Sequence, residues 1–251
     1  MISIIIPVLN EAENIGKLLQ HLRKSSDSKN ISDMIVVDGG STDGTQKIVT
    51  NFIASIHFER SEKLNRETQK SDFAQTDISL LNSSKGRAKQ MNFGAKHSKG
   101  EILYFLHADS FPPKHFDQYI IDEVRKGNEA GCFRMQFESN HWWLRLASWL
   151  TQFSWRACRG GDQSQFITKS LFEDIGGYNE DYMIYEDNIL INALYKRKQF
   201  VVINKKLKTS ARLYKKVGIW KLQYHFWAIY VKRWLGASAD EMLAYYKRNI
   251  A

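Results

Sequence analysis

The chain has 251 residues, 43% of them hydrophobic and 25% charged, with 15 Gly and 3 Pro, a globular composition that excludes collagenous and disordered classes. Its two cysteines, Cys132 and Cys158, lack the close spacing and clustered His of a zinc site or redox motif and read as reduced thiols. The formal charge of +9 is uneven, because 11 Lys/Arg against Asp240 and Glu241 lie between Lys205 and Ala251 and residues 1–204 sum to zero.

Residues 2–6 (Ile-Ser-Ile-Ile-Ile) form the β-branched run expected of a strand buried on both faces. The spacing of Ile15, Leu18, Leu19 and Leu22 predicts a helix from about Glu11 to Leu22, with Asn10 as its N-cap. Met34–Val37 is the second strand and Asp38–Thr45 its exit loop. A helix starting near Thr45 then carries Ile48, Val49, Phe52 and Ile53 on one face. This β-α-β-α order is that of a parallel sheet with right-handed crossovers. Ile56-His57-Phe58 is a candidate third strand, and residues 60–77, with eight charged residues in 18, read as a mobile charged surface insertion.

Order resumes at Ile78–Leu81, followed by a helix over about Gly86–His97 and a strand Ile102–Leu106 that runs into His107-Ala108-Asp109-Ser110. Pro112-Pro113 opens the next helix. A strand Gly131–Phe137, a helix over about His141–Trp155 and a loop Arg159–Gln163 come next. Phe166–Thr168, a short helix near Ser170, the turn Gly176-Gly177-Tyr178, a helix entered through Tyr185-Glu186-Asp187, a strand Val201–Ile203 and a long helix over about Gly218–Leu235 follow. No repeat or Pro/Gly/Ser-rich linker divides the chain. Residues 1–212 therefore read as one α/β domain and 213–251 as a basic, aromatic helical extension of the same unit. The opening heptapeptide lacks the basic n-region of a secretory signal, and no run of 18 uncharged apolar residues occurs, so a cytoplasmic location is expected.

Ligands of open parallel sheets bind outside the carboxyl ends of the strands. Three such ends carry polar candidates: Asn10-Glu11, Asp38, and His107 with Asp109. Asp109 can offer one oxygen ligand to Mg²⁺ or Mn²⁺ when a diphosphate supplies others, and His107, two residues earlier, points to the same side of an extended chain. Lys85-Gly86-Arg87 at a helix start suits phosphate, with backbone N–H groups at the positive dipole end and a bidentate guanidinium.

The segments Ile-Ile-Pro-Val-Leu-Asn-Glu (5–11), Val-Val-Asp-Gly-Gly-Ser-Thr-Asp-Gly-Thr (36–45), Gly-Arg-Ala-Lys-Gln-Met-Asn-Phe-Gly-Ala (86–95) and Leu-His-Ala-Asp-Ser (106–110) occur in this order. Together with Gly-Asp-Gln (161–163), Gly-Gly-Tyr (176–178), Glu-Asp (186–187) and Thr-Ser-Ala-Arg (209–212), they resemble family 2 glycosyltransferases of the GT-A fold, most of all the branch called radical-SAM/selenodomain-associated transferase 2. The resemblance covers about residues 2–245. It implies a GT-A-like, mostly parallel sheet flanked by helices and a sugar transfer from a nucleoside diphosphate to an acceptor hydroxyl, metal-assisted and inverting.

By the same resemblance, Asp38 contacts the base, Pro7, Asn10 and Glu11 line the nucleoside pocket, and Arg87 meets the diphosphate. Asp109 holds the metal with His107 beside it, and Asp187, or else Glu186, is the base. Gly161, Asp162, Gln163 and Arg212 belong to the acceptor and sugar region. The usual Asp-any-Asp metal motif reads His-Ala-Asp in this chain.

All seven Trp fall in two segments, Trp142/Trp143/Trp149/Trp155 and Trp220/Trp227/Trp234. In the second, Trp220, Tyr224, Trp227, Val231 and Trp234 share one helical face, which fits core packing or a self-association seam. The flanking Lys221, Lys232 and Arg233 also give the composition of a helix lying in an anionic membrane interface, where a lipid-linked acceptor would be met. Two other classes compete: a nucleotidyltransferase, whose lysine- and glycine-rich activating loop is missing from Pro7–Glu11, and a catalytically silent basic protein binding membranes or nucleic acid. Nucleic acid is disfavoured, since no recognition motif accompanies the basic tail.

Overall fold

The computed structural model describes residues 1–66, 76–160 and 163–250. Its strands are β1 (Ile2–Val8), β2 (Ile31–Asp38), β3 (Asp77–Asn82), β4 (Ile102–Phe105), β5 (Ser110–Phe111), β6 (Ala130–Phe137), β7 (Gln165–Thr168) and β8 (Val201–Thr209). The helices are α1 (Ile15–Ser25), α2 (Thr45–Arg66), α3 (Arg87–His97), α4 (Phe116–Arg125), α5 (Trp142–Leu150), α6 (Lys169–Ile175), α7 (Glu186–Lys196), α8 (Arg212–Val217), α9 (Ile219–Trp234) and α10 (Ala239–Asn249).

One sheet runs in the order β3-β2-β1-β4-β7-β6-β8-β5. The β3-β2-β1-β4 half is parallel; β7 runs antiparallel to β4 and β6, β8 parallel to β6, and β5 antiparallel to β8 at the edge. Side-chain alternation along β1 explains the layering. Ile2, Ile4, Ile6 and Val8 pack with Leu18 and Leu22 of α1, Val49 of α2 and Phe116 of α4. Ile5 faces the other way, with Met91 of α3, Leu171 of α6 and Leu190 of α7. Both faces are covered, as the Ile-rich run of β1 predicts.

The contact between α3 and β1 is tight. A Cβ on Gly94 would lie 2.6 Å from Ile5 Cγ2, so a glycine is required for this helix to sit so close to the sheet.

Several boundaries differ from expectation. Asn10 does not cap α1, which starts at Ile15; residues 11–14 form a turn in which Asn14 and Ile15 donate to the Glu11 carbonyl, both at 3.0 Å. Ile56-His57-Phe58 is helical, inside α2, because half-buried Ile53 and Ile56 continue the 3-to-4 spacing begun at Ile48. The third strand is Asp77–Asn82. Of the expected insertion 60–77, residues 60–66 complete α2, Asp77 opens β3 and 67–75 lie outside the described residues.

The helix after Pro112-Pro113 starts at Phe116, following Ser110–Phe111, which pair with Thr209 and Lys208 of β8. Helix α5 stops at Leu150, short of Trp155. Thr151 Oγ1 is bonded to Ser148 O and to the Met135 N–H of β6, and the Arg159 guanidinium takes the carbonyls of Thr151 and Phe153 that a longer helix would use. Strand β8 continues to Thr209, beyond the expected Val201–Ile203.

Beyond it, α8, α9 and α10 gather around buried Leu222, Ile229, Met242 and Ile250 and pack on Tyr182, Ile184 and Tyr185. The expected helix over Gly218–Leu235 is α9; its Trp220, Tyr224, Trp227, Val231 and Trp234 face away from this core and are exposed.

Candidate active site

Strands β1 and β4 end on one rim, and a cleft of about 590 Å³ opens there. Pro7, Val8 and Glu11 line it from the β1 side, Lys85, Gly86 and Arg87 from the start of α3, and His107 and Asp109 from the end of β4. Ser210, just after β8, and Arg212, Tyr214, Lys216 and Phe226 of α8 and α9 close it from the other side.

The loops after β1 and β2 are stitched together. Asn10 N–H donates to Ser41 Oγ (2.9 Å), Thr42 N–H to Asn10 Oδ1 (2.8 Å), Glu11 N–H to Thr45 Oγ1 (2.9 Å) and Ala12 N–H to Asp43 Oδ2 (3.0 Å). Asn10 adopts φ 58° to make this connection.

Asp38 is fully buried and accepts hydrogen bonds from the Gly40 and Ser41 N–H groups, the Ser41 hydroxyl and Gln46 Nε2. Burial alone would raise its pKa, but these donors together outweigh that effect and hold the carboxyl below its ordinary value. Of the four residues expected around the nucleoside, Pro7 and Glu11 line the cleft, whereas Asn10 and Asp38 build the loops beneath it.

Arg87 occupies the first position of α3, behind Gly86, whose φ of 141° sets the entry to the helix. Its guanidinium reaches two acids from the first turn of α7, with Nε 3.3 Å from Glu186 Oε1 and Nη1 3.4 Å from Asp187 Oδ2. The Glu186 side chain is 1% exposed, that of Asp187 10% and that of Arg87 43%, so Asp187 is the more accessible acid and Arg87 the most exposed member of the cluster.

Tyr178 lies behind this cluster, in a small cavity shared with Asp187, His107 and Gln165. Burial, and next the charges of Asp187 and Glu186, push its phenol well above the ordinary value. The turn carrying Tyr178 is held by Asn92, whose Oδ1 accepts the Tyr178 N–H and whose Nδ2 donates to the Tyr178 carbonyl, both at 2.9 Å.

Across the cleft, Arg212 Nη2 donates to Glu11 Oε1 at 2.7 Å and stands 3.7 Å from Asp109 Oδ2. Gly161 and Asp162 lie outside the described residues. Gln163 is buried away from the cleft: its Oε1 accepts from Arg159 Nη1 at 2.7 Å and its Nε2 donates to the Cys158 carbonyl at 2.6 Å, which fixes the loop before β7.

Sequence reasoning passed over Gln90. This buried amide of α3 donates to the carbonyls of Val8 and Val37 at 2.8 and 2.7 Å, tying together the ends of β1 and β2. A glutamine on the apolar face of a helix that starts with a phosphate-type turn is the signal that could have found it. Asp43, Tyr214 and Phe226 were also missed; the first is legible as an Asx turn before α2, the other two only from the packing of α8 and α9.

A model described as glycosyl transferase family 2 matches residues 3–200. Over 111 residues the chain is 35% identical to glycosyltransferase AglE of Haloferax volcanii, which covers 44% of this chain and 31% of that protein. The chain spans less than half the length of the curated relatives it matches. Among solved structures, TarS of S. aureus (residues 1–349, in complex with UDP) superposes with a TM-score of 0.60 at 16% identity, over 84% of this chain and 60% of that one. The mannosyltransferase PcManGT of Pyrobaculum calidifontis, in complex with GDP-Man and Mn²⁺, gives 0.60 at 18% identity, over 91% and 59%. At such identities the likeness is one of fold, the GT-A-like arrangement that the motif order implies.

Proposed function

This chain belongs to glycosyl transferase family 2, and from that premise we propose that its cleft binds a nucleoside-diphosphate sugar and transfers the sugar, with inversion, to an acceptor hydroxyl. The observation that carries the reading is one rim that combines a helix start bearing Arg87, the carboxylate of Asp109 and, bonded to Arg87, the acids Glu186 and Asp187.

Each group has a role that its chemistry supports. The backbone N–H groups at the start of α3 and the Arg87 guanidinium stabilise the negative charge that grows on the departing diphosphate. Asp187, the more accessible of the two acids, accepts the proton of the incoming hydroxyl as that oxygen attacks the anomeric carbon from the face opposite the leaving group. Glu186, almost wholly buried, orients Arg87.

The donor set fits Mg²⁺ or Mn²⁺ shared with the donor. Asp109 and His107 both line the cleft, and among the described residues no group of three or more His, Cys, Asp or Glu gathers as a cage of its own. Phosphate oxygens and water would complete the coordination, with Asp109 as the protein's oxygen ligand. When bound, the cation would neutralise charge on the leaving diphosphate. That PcManGT is described with GDP-Man and Mn²⁺ supports this reading.

A thermal-shift panel of nucleoside diphosphates, with and without Mn²⁺, tests the proposal, since a ligand that binds only the native state raises Tm. At least one diphosphate should do so in a Mn²⁺-dependent way, and Asp109→Asn should abolish the Mn²⁺ dependence while its own Tm stays close to that of the unmutated chain. No shift with any nucleotide would overturn the proposal, and an unchanged Mn²⁺ effect in Asp109→Asn would overturn the metal assignment.

A further inference from the structure

We propose that the outer faces of α5 and α9 form one surface that docks on an anionic lipid bilayer, and that the cleft draws its acceptor from that bilayer. The second half of the statement rests on the transferase reading above; the first does not.

The surface is continuous. On α9, Trp220, Tyr224, Trp227, Val231 and Trp234 are between 51 and 84% exposed. On α5, Trp142, Leu146 and Trp149 stand at the same helical spacing and are exposed as well. The rows meet where the Trp220 ring lies 5.8 Å from that of Trp142 and 5.4 Å from that of Trp143, which in turn lies 6.2 Å from Trp227. Single exposed apolar residues are ordinary, but a joined patch of large ones marks an interaction site.

Charge selects the occupant. Exposed Arg145 lies beside the α5 row and Lys215, Lys216, Lys221 and Lys232 on α8 and α9, and between Ala211 and Ala239 the sequence has no Asp or Glu; Arg159 is buried and Arg212 is paired with Glu11, so neither counts toward the surface. A second copy of the chain would bring the same excess of positive charge against itself, because a two-fold interface pairs the same patch with itself. Single-stranded nucleic acid would use the rings but leaves Leu146, Val231 and Leu235 without a partner. A bilayer with anionic headgroups satisfies all three features at once: aromatic rings at headgroup depth, aliphatic side chains just below, and Lys/Arg at the phosphates. Among the described residues no helix is long and apolar enough to cross a membrane; the contact proposed is with the bilayer face.

Placement ties the surface to the cleft. Leu213, Tyr214, Lys216 and Phe226 of α8 and α9 line the cleft while Trp220 and Trp227 of α9 point outward, so one helix serves both sides. A docked molecule would hold the cleft wall against the bilayer.

The test is flotation of the full chain with phosphatidylcholine vesicles, with and without phosphatidylglycerol, at low and high salt. The chain should float only with the anionic vesicles, and less in high salt because surface charges are screened. Trp220→Ser/Trp234→Ser should lose most of this binding, and Lys221→Glu should weaken it about fivefold or more, the expectation for one charge near an anionic surface. All three substituted positions lie outside the cleft, so any nucleotide-induced shift in Tm should match that of the unmutated chain.

No flotation with any vesicle, equal flotation without phosphatidylglycerol, or unchanged flotation of the Trp variant would overturn the proposal. So would a dimer by light scattering that Trp220→Ser/Trp234→Ser dissolves, or single-stranded oligonucleotide that binds the patch and is not displaced by vesicles. Nucleotide-induced shifts are read separately, so failure of docking leaves the transferase reading standing and the converse also holds.

Discussion

Arg212 and Glu11 form an ion pair at 2.7 Å across 201 residues of sequence, fastening the loop after β1 to the start of α8. The pair sits at the mouth of the cleft, and the same guanidinium nitrogen is 3.7 Å from Asp109. An arginine therefore stands where a cation bound at Asp109 would feel its repulsion.

Arg212→Gln should raise the affinity of the nucleotide-free protein for Mn²⁺ severalfold, because a like charge beside the ligand is removed. The side chain is about half exposed, so stability should change by less than about 1 kcal/mol. Mn²⁺ titration followed by electron paramagnetic resonance, with the unmutated chain alongside, measures the difference; equal or weaker binding in the variant would show that Arg212 does not compete at Asp109.

Asp187→Asn should bind donor as before and lose turnover by about 10²-fold or more, since an amide fills the space without accepting a proton. Glu186→Gln should instead weaken the hold on Arg87 and raise the donor KM. The check is single-turnover transfer or donor hydrolysis with the nucleotide sugar that stabilises the chain; the opposite pattern would exchange the roles of the two acids.

Asp38 makes the loop after β2 sensitive to acid. Its folded pKa lies below the ordinary carboxylate value, so its contribution to stability is complete above the unfolded pKa of about 3.9 and is lost as pH falls through the lower folded value. Urea unfolding followed into the acid range should show part of this loss, and Asp38→Ala should cost about 2 kcal/mol or more at neutral pH, where charged hydrogen bonds are removed. A variant as stable as the parent would mean that the Ser41, Gly40 and Gln46 donors find other partners.

Tyr178→Phe should leave stability unchanged or raise it. The Tyr178 hydroxyl is buried and has no hydrogen-bond partner among the described residues, so the substitution removes a desolvated polar atom and keeps the ring that packs edge-on to Phe105 at 5.0 Å. A fall of more than about 1 kcal/mol in chemical denaturation would reveal a water-mediated bond.

The parallel half of the fold was legible because β1 and β2 are buried on both faces and so are rich in Ile and Val, and because Gly86 marks the start of α3. The helical stripe on α9 was legible as a face but not as a direction. That helix is apolar on both sides, with Leu222 and Ile229 turned inward and Trp220 and Trp227 outward, and periodicity alone cannot say which side meets the core.

Helix α10 went unread although Ser238 and Glu241 form a complete capping box that its sequence spells out. The junction of Arg87 with Glu186 and Asp187 could not be read from local spacing at all, since it joins residues about a hundred positions apart through the packing of α3 and α7 on the same face of the sheet.

The close approach at Gly94 limits what can move when a donor arrives. With Ile5 already at the distance where an added methyl would collide, α3 packs against the sheet at Gly94 with no room for a side chain between them. On the proposed reading, adjustment to a diphosphate would fall to the Arg87 side chain, which is 43% exposed. Leaving Glu186 and Asp187, it would uncover the carboxylate of Asp187 by the same motion that engages the phosphate, so donor capture and exposure of the base would be a single event.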